Sequence, residues 1–247
     1  MSAFSLEGRR ILVTGANTGI GQGIAVAAAR AGAHVVGAGR SPMDETSALV
    51  TSAGGVFTPL AADLAEAGSA EALVAEAWPL DGLVNNAGII RRADAAEHSL
   101  DDWNDVLALN LTATFALCQQ FGRRALDEGR RGKIVNIASL LSFQGGIRVA
   151  AYTASKHAVA GLTKTLCNEW AARGINVNAI APGYIETNNT EALRADPDRS
   201  AAILARIPAG RWGRPEDIGD AAVFLLASAS DYMHGAVVPV DGGWLAR

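Results

Sequence analysis

The sequence predicts an α/β fold in which helices cover both faces of one doubly wound parallel sheet. Short apolar runs alternate with longer stretches rich in alanine and leucine that have helical spacing, along all 247 residues. The apolar runs show little alternation between apolar and polar residues, which is typical of strands buried on both faces. No break in composition divides the chain, so we predict a single domain over residues 1–247.

The elements follow one another in a regular order. The predicted strands are residues 11–13, 34–38, 56–60, 82–85, 133–138, 176–181 and 236–240. The predicted helices are residues 21–31, 70–77, 102–126, 153–173 and 215–227. Gly32 and Gly174 follow two of these helices, where a left-handed glycine ends a helix readily. Pro215 begins the last helix, where proline sacrifices no hydrogen bond.

Composition excludes several classes of function. The net charge is −4 and no basic run is present, which argues against a nucleic-acid partner. No segment approaches the roughly 20 apolar residues that span a bilayer, and the first ten residues lack the apolar core of a secretory signal. We therefore expect a soluble, cytoplasmic protein without a membrane partner. Cys118 and Cys167 lie in apolar helical runs and are predicted to be buried free thiols. The four histidines lack ligand spacing, so no metal site is predicted.

Five clusters of unusual residues follow predicted strands. Ligands of such sheets bind outside the carboxyl ends of the strands, so the clusters indicate one common site. Each cluster taken singly is explained by turn chemistry, and their shared position favours a site instead. The clusters are residues 14–21, Asp63 with Leu64, residues 85–88, Ser139, and residues 182–187.

The first cluster is a loop punctuated by Gly15, Gly19 and Gly21. Glycines let the backbone approach a pyrophosphate closely, and the N-terminus of the following helix favours an anion. The spacing differs from the common G-x-G-x-x-G. The loop nevertheless follows a strand and opens a helix, so it predicts a dinucleotide cofactor.

Arg40 and Ser41 stand at the end of the second predicted strand, where an acidic residue would bind the 2′-hydroxyl of an adenosine ribose. No carboxylate appears in this region before Asp44. A guanidinium can pair with a 2′-phosphate through two hydrogen bonds, and the Ser41 hydroxyl can add another. We therefore predict that NADP is preferred and that NAD is possible. The alternative is that Arg40 is a solvated surface residue.

Tyr152 and Lys156 are four residues apart in a predicted helix, so both side chains project from one face. The reference pKa of tyrosine is about 10, and a neighbouring ammonium can lower it by about 1–3 units. Ser139 can hold a reacting oxygen in line with these groups. The three residues predict acid–base catalysis coupled to hydride transfer. Asn110, in an apolar helical run, is either a buried, hydrogen-bonded amide or the holder of a water.

These residues resemble the motifs of the short-chain dehydrogenases/reductases over essentially the whole chain. The quoted likenesses are Thr14-Gly-x-x-x-Gly-x-Gly21, Asn85-Asn86-Ala87-Gly88, Asn110, Ser139, Tyr152, Lys156 and Pro182-Gly183. The resemblance implies a Rossmann-like, seven-stranded sheet. It also implies an assembly of two or four copies, of which we predict the homotetramer.

The resemblance also assigns roles to the catalytic residues Asn110, Ser139, Tyr152 and Lys156. Tyr152 would be the acid/base, and Lys156 would bind the nicotinamide ribose and lower the tyrosine pKa. Ser139 would orient substrate, and Asn110 would fix a proton-relay water. The motifs and the resemblance together predict cofactor contacts from Gly15, Asn17, Thr18, Gly19, Ile20, Gly21, Arg40, Ser41, Asp63, Leu64, Asn86, Ala87, Gly88, Tyr152, Lys156, Pro182, Gly183, Ile185 and Thr187.

Five segments resemble more narrowly the members of that family that act on sugar acids. They are residues 86–94, 142–149, 181–190, 206–213 and 240–247. This likeness implies that the enzyme interconverts a secondary hydroxyl and a ketone. The first choice of substrate is gluconate, which would react at carbon 5. The alternatives are 2-deoxygluconate at carbon 3 and 2-dehydro-3-deoxygluconate at carbon 5. Members that act on the deoxy-keto acids often use NAD. Arg40 differs from the pattern of those members and favours NADP.

A sugar acid carries a carboxylate and several hydroxyls, and the sequence offers partners for both. Arg148 is the first predicted carboxylate partner and Arg92 the second. The predicted partners of the hydroxyls are Gln144, Asn188 and Asn189. The alternative for the arginines is a role in salt bridges or a subunit interface. The segment 190–206 is long and polar, and this predicts that it forms a lid over the substrate.

Two other functions stay open. A 3-oxoacyl thioester reductase or broad carbonyl reductase would need an apolar trough in place of arginines and amides. A cofactor-binding sensor without turnover would need no complete catalytic set.

Overall fold

The computed structural model describes residues 2–247 and contains a seven-stranded, all-parallel sheet with the order β3-β2-β1-β4-β5-β6-β7. The order reverses between β1 and β4, which is the kind of position where ligands of doubly wound sheets bind. The predicted fold class is confirmed. The strands are β1 Arg10–Thr14, β2 His34–Gly39, β3 Val56–Ala61, β4 Gly82–Asn85, β5 Gly132–Ile137, β6 Ile175–Pro182 and β7 Val237–Val240.

Helices fill the connections between strands. They are α1 Gly19–Arg30, α2 Asp44–Ser52, α3 Ser69–Ala77, α4 Leu100–Leu107, α5 Thr114–Asp127, α6 Ala150–Trp170, α7 Glu191–Ala195, α8 Pro197–Leu204 and α9 Pro215–Leu226. The sequence missed α2, which buries only Thr46 and Val50 and so shows little helical apolar spacing. The helix predicted at 102–126 is wrong as one element, because a π-helical segment, Ala108–Ala113, separates α4 from α5.

Alternate residues of each central strand enter two different cores. On β1, Ile11 and Val13 pack with α1 and α9, whereas Leu12 packs with α3, α5 and α6 on the other face. This period of two follows from the pleat of a strand. Because both faces are covered, nearly every residue of β1, β5 and β6 is buried, and this explains their mostly apolar sequence.

The two edge strands differ from this pattern. Every residue of β3 and β7 is exposed or half-buried, and Val56 of β3 is 58% exposed. The prediction of strands buried on both faces therefore holds for the centre of the sheet and is wrong at β3 and β7. An edge strand has a neighbouring strand on one side only, so its other side is open to solvent.

Two helices end at left-handed glycines, and the two cysteines form no disulfide. Gly32 and Gly174 have φ angles of +99° and +86°, and Pro215 is the first residue of α9, as predicted. Cys118 is a buried free thiol, and burial raises its pKa to about 12. Cys167 is also free but is partly exposed, so its predicted burial is wrong. Among residues 2–247, no helix is long and apolar enough to cross a membrane.

Candidate active site

A cavity of about 290 Å³ opens at the carboxyl ends of the strands. It runs from the loop after β1 past Arg40 at one end to Tyr152 and Lys156 at the other. Sixteen of the predicted site residues line it, and they are Gly15, Asn17, Thr18, Gly19, Ile20, Arg40, Ser41, Asp63, Leu64, Asn86, Ala87, Gly88, Tyr152, Lys156, Thr187 and Asn188. The structure therefore joins four of the five clusters in one cavity, and Ser139 adjoins it through Tyr152.

Sequence reasoning missed several lining residues. They are Ala38, Gly39, Ala62, Ile89, Leu109 and Ile137, whereas Asn189 lines the cavity beside Asn188 as the sequence suggests. Most are small or apolar and flank the predicted clusters, so no chemical signature marks them. Their place directly beside the ends of strands was the only signal that could have found them.

The loop after β1 has the shape of an anion cradle. Gly15 and Gly19 have φ angles of +64° and +57°, and a Cβ on Gly15 would lie 2.9 Å from Nδ2 of Asn86. Helix α1 begins at Gly19 without an acidic residue in its first turn. Within residues 2–247, no side-chain hydrogen bond from Thr18 caps its first N–H groups. These N–H groups and the helix dipole therefore suit a phosphate.

The loops after β1 and β4 are fastened to each other. The Thr14 hydroxyl accepts hydrogen bonds from the backbone N–H of Asn86 (3.0 Å) and of Ala87 (3.1 Å). Nδ2 of Asn86 donates to the carbonyl oxygens of Thr14 (2.9 Å) and Gly15 (3.3 Å). This network fixes the cradle rigidly against the sheet before any ligand binds.

Not every predicted cofactor residue lines the cavity. Gly21 lies where a Cβ would collide with the carbonyl oxygen of Gly15, and a Cβ on Gly183 would lie 2.6 Å from Cα of Asp241. Ile185 is buried and bridges to Gly213. Pro182 is the last residue of the buried strand β6. These four residues shape the walls through close packing rather than facing the cavity.

Arg40 lies at the adenosine end predicted from the sequence. Its Nη1 is 3.7 Å from Oδ2 of Asp63, and the side chain is 65% exposed. A weak, exposed ion pair holds the guanidinium only loosely. Arg40 is therefore free to turn to a better anion beside Ser41.

Helix α6 brings Tyr152 and Lys156 to the other end of the cavity. Nζ of Lys156 donates to the carbonyl oxygen of Ile137 at 2.6 Å and lies 5.5 Å from the centroid of the Tyr152 ring. Burial lowers the pKa of Lys156 to about 8. Lys156 is thus placed by the end of β5, directly beside the tyrosine.

Burial raises the pKa of Tyr152 above its ordinary value. A hydrogen bond with Ser139 and the charge of Arg92 oppose this rise. The sequence predicts that Lys156 lowers the tyrosine pKa, and this effect stays a prediction, because the groups that lower it in this structure are Ser139 and Arg92. Tyr152 is therefore protonated near neutral pH in this structure.

Asn110 lies in the π-helical segment and is 1% exposed. Its Oδ1 accepts from the backbone N–H of Ile89 at 2.8 Å, and its Nδ2 donates to the Ile89 carbonyl at 3.0 Å and to the Ser155 hydroxyl at 3.3 Å. The side chain thus clamps the chain after β4 against α6. This geometry fits a buried, hydrogen-bonded amide, and the relay water stays a prediction.

The predicted substrate residues are divided by the structure. Asn188 lines the cavity, and Arg92 is near enough to affect Tyr152 by its charge. Arg148 lies outside the cavity, where its Nε pairs with Oδ1 of Asp94 at 3.1 Å, and its φ angle of +63° marks a strained turn. Gln144 accepts a hydrogen bond from Trp244.

No group of three or more His, Cys, Asp or Glu side chains able to hold a metal ion occurs between residues 2 and 247. The cavity combines an anion cradle with a half-buried tyrosine and a buried lysine. A fold and site of this kind define an oxidoreductase that uses a dinucleotide.

Comparison with known proteins identifies this class. The family model described as enoyl-(acyl carrier protein) reductase matches residues 15–245. The chain belongs to this family, which is part of the short-chain dehydrogenases/reductases, and the resemblance stated from the motifs is confirmed.

The names of individual relatives specify an activity more closely than the family does. The chain is 55% identical to a 2-dehydro-3-deoxy-D-gluconate 5-dehydrogenase of Dickeya dadantii, over 100% of this chain and 99% of the relative. It is 42% identical to a gluconate 5-dehydrogenase of Gluconobacter oxydans, over 97% and 96%. A crystal structure from Agrobacterium tumefaciens with bound NADP, whose proposed activity is that of a 2-deoxy-D-gluconate 3-dehydrogenase, is 62% identical with a TM-score of 0.98 over 100% of both chains.

Proposed function

We propose that this protein is an NADP-dependent dehydrogenase that interconverts a secondary hydroxyl and a ketone at carbon 5 of a six-carbon sugar acid. The observation that carries the proposal is one cavity that holds both the anion cradle of α1 and the Tyr152–Lys156 pair. The relative that is 55% identical over the full chain favours 2-dehydro-3-deoxy-D-gluconate as substrate. The gluconate predicted first from the sequence is the second candidate, which the 42% identical relative supports.

The cavity residues fit a dinucleotide and divide the work of the reaction. The glycine cradle and the first turn of α1 would bind the pyrophosphate, and Lys156 would donate to the ribose beside the nicotinamide. When bound, the cofactor supplies or accepts the hydride. Tyr152, protonated near neutral pH, donates its proton to the carbonyl oxygen of the ketone and takes it back in oxidation. The Ser139 hydroxyl, which lies beside Tyr152, orients that oxygen.

The test of this function is a matrix of both nicotinamide cofactors against four substrates. The substrates are gluconate, 5-ketogluconate, 2-deoxygluconate and 2-dehydro-3-deoxygluconate. We expect the highest kcat/KM with NADP and a substrate that reacts at carbon 5. Reduction of an acetoacetyl thioester without turnover of any sugar acid would favour the acyl reductase. Tight binding of cofactor with no turnover would favour the sensor.

Replacing Arg40 with aspartate is expected to reverse the cofactor preference. The variant removes a guanidinium that can form charged hydrogen bonds with a 2′-phosphate, so kcat/KM with NADP should fall by about 10- to 100-fold. A carboxylate at this position can bind a 2′-hydroxyl, so activity with NAD should rise. Steady-state kinetics with both cofactors measure the change. Arg173→Asp is the matched control, because Arg173 is exposed near the opposite ends of the strands. Retention of NADP preference in Arg40→Asp would overturn the assignment.

Arg92 is our first choice for the substrate carboxylate, ahead of Arg148. Its guanidinium donates to the backbone carbonyl of Asn189, at the start of the predicted lid, and its charge reaches Tyr152. Arg148 is already paired with Asp94, and its backbone carbonyl accepts from the N–H of Ala93. These contacts suit Arg148 for shaping the turn that presents Arg92.

The substitution Arg92→Ala is expected to raise the KM for the sugar acid by about tenfold or more, since charged hydrogen bonds contribute about 1.5–3 kcal/mol. The KM for NADP should stay the same. The control is Arg91→Ala, because Arg91 is held by Asp102 and Asp105. Arg148→Ala should have an intermediate effect. An Arg148→Ala enzyme that loses more affinity than Arg92→Ala would restore the order predicted from the sequence.

We further propose that residues 1–247 form one catalytic domain and assemble as a homotetramer. The single continuous sheet supports the first part. The exposed Leu100 and Phe115, on α4 and α5, support a subunit contact there. Light scattering of the purified protein tests the mass of the assembly. The cytoplasmic location stays a prediction.

A further inference from the structure

Four aromatic or cationic side chains, which we call the aromatic clamp, stack beyond the substrate end of the cavity. They are Tyr184, Arg206, Trp212 and Trp244. The Tyr184 ring lies 4.7 Å from the Trp244 ring and 5.6 Å from the Trp212 ring, centroid to centroid. The Arg206 guanidinium carbon is 3.9 Å from the Trp244 centroid, a close cation–π contact. Trp244 is only 4% exposed, so it forms the buried centre of the clamp.

The clamp is joined to the predicted lid. Ile203 of α8 belongs to the same buried cluster, and Leu193 of α7 packs against it. The Arg247 side chain donates to the carbonyl oxygens of Ala205 (2.6 Å) and Arg206 (3.3 Å). The last residues of the chain therefore hold the end of α8 in place.

The clamp is also joined to the loop that carries Ser139. Leu140 is buried in the same cluster, and Nε1 of Trp244 donates to Oε1 of Gln144 at 3.4 Å. An indole nitrogen can only donate, so it fixes the orientation of the Gln144 amide. Nε2 of Gln144 keeps two N–H donors and has no acceptor within the part of the chain that the structure describes. Such a donor pair suits a hydroxyl or carboxylate oxygen of a sugar acid.

Four of the five segments that resemble sugar-acid enzymes meet in this cluster. Gln144, Tyr184, Arg206 and Trp244 each come from a different one. Sequence patterns alone gave Trp244 no role, because about 100 residues separate it from Gln144. Their meeting beside the substrate loop suggests that the segments share a task.

We propose that Trp244 is a positioning residue for the substrate. It orients Gln144 toward a hydroxyl of the sugar acid, and through Arg206 it couples this contact to the α7–α8 segment. The inference rests on the proposed function and extends it, because it assigns selection of the sugar acid to the C-terminal residues. Gln144 touches the substrate, whereas Trp244 acts through Gln144.

The test is a double-mutant cycle of Trp244→Phe and Gln144→Ala. Phenylalanine keeps an aromatic ring for the clamp and removes the indole N–H. We expect Trp244→Phe to raise the KM for the sugar acid by about two- to tenfold, the loss of one hydrogen bond. We expect kcat and the NADP affinity to change less. The double variant should resemble Gln144→Ala alone, because both changes remove one interaction.

Trp78→Phe is the matched control, because Nε1 of Trp78 donates to Oε1 of Glu128 at 2.8 Å, outside the site cavity. It should leave all kinetic constants unchanged. Additive effects of Trp244→Phe and Gln144→Ala, or an unchanged KM in Trp244→Phe, would overturn the proposal. An equal loss of kcat and NADP affinity would also overturn it, since that indicates general disruption.

Hydrogen exchange separates failure of this inference from failure of the proposed function. Arg206→Leu removes the cation from the clamp, and exchange is measured without substrate. We expect faster exchange in both residues 140–149 and residues 197–206. A change confined to one segment would overturn the coupling. A wild-type enzyme inactive on all sugar acids would overturn the proposed function and the substrate role of Gln144, but would leave the coupling between the two segments standing.

Discussion

Replacement of Tyr152 by phenylalanine is expected to lower kcat by about 10²- to 10⁴-fold, the contribution of a positioned acid or base. The ring is half-buried and desolvation raises its pKa, so the hydroxyl carries the proton that a ketone needs during reduction. Phenylalanine keeps the ring and removes only the hydroxyl group. The affinity for NADPH should therefore change little, and fluorescence titration measures it.

Tyr232→Phe is the control for this prediction, since Tyr232 is 100% exposed. It should have wild-type kinetics. A Tyr152→Phe enzyme that keeps most of its kcat would mean that another group donates the proton, and Ser139 would be the first to test. Activity lost together with cofactor binding would mean that the ring, rather than the hydroxyl, matters.

The residues that were predictable from the sequence have a chemical reason to stand at one local position. Gly15 and Gly19 need backbone conformations that other residues avoid, and Tyr152 and Lys156 are linked by a helical turn. Arg40 was placed correctly because the end of β2 is set by strand spacing. Each of these inferences uses a span of a few residues.

Properties that depend on distant contacts were not predictable. Asn110 was recognised as odd, but its bond to Ile89 and the π-helical turn around it arise from packing between α4 and α6. Arg148 was ranked above Arg92 by its distance along the chain from Tyr152. Its partner Asp94 was invisible because the two residues are 54 positions apart. The role of Lys156 depends on the same kind of contact.

Lys156 is costly to the fold when the cavity holds no ligand. Its ammonium is buried, and the hydrogen bond to Ile137 offsets only part of the lost hydration. Burial lowers its pKa from 10.5 to about 8. Between these two pH values the unfolded chain binds a proton that the folded chain does not bind. The free energy of unfolding therefore rises with pH across that window, and it falls again as the pH falls toward 8, because the buried lysine must then carry a charge.

Lys156→Met is expected to separate this cost from the function. Methionine has a similar volume and no charge, so the unfolding free energy of the variant should lack this pH dependence. Relative to the variant, the wild type should gain on the order of 2–3 kcal/mol between pH 8 and pH 10.5. Urea unfolding across this range measures the difference. The control is Lys164→Met, an exposed lysine on the same helix.

The same variant should lose kcat by about 10²-fold or more at every pH, because the ribose donor and the charge beside Tyr152 are both gone. A stability difference that stays flat from pH 8 to pH 10.5 would show that Lys156 ionises normally. Full activity in Lys156→Met would show that the ammonium has no part in the reaction. Together, a pH-dependent gain in stability and a loss of turnover would mean that the fold tolerates a buried charge because the reaction requires it.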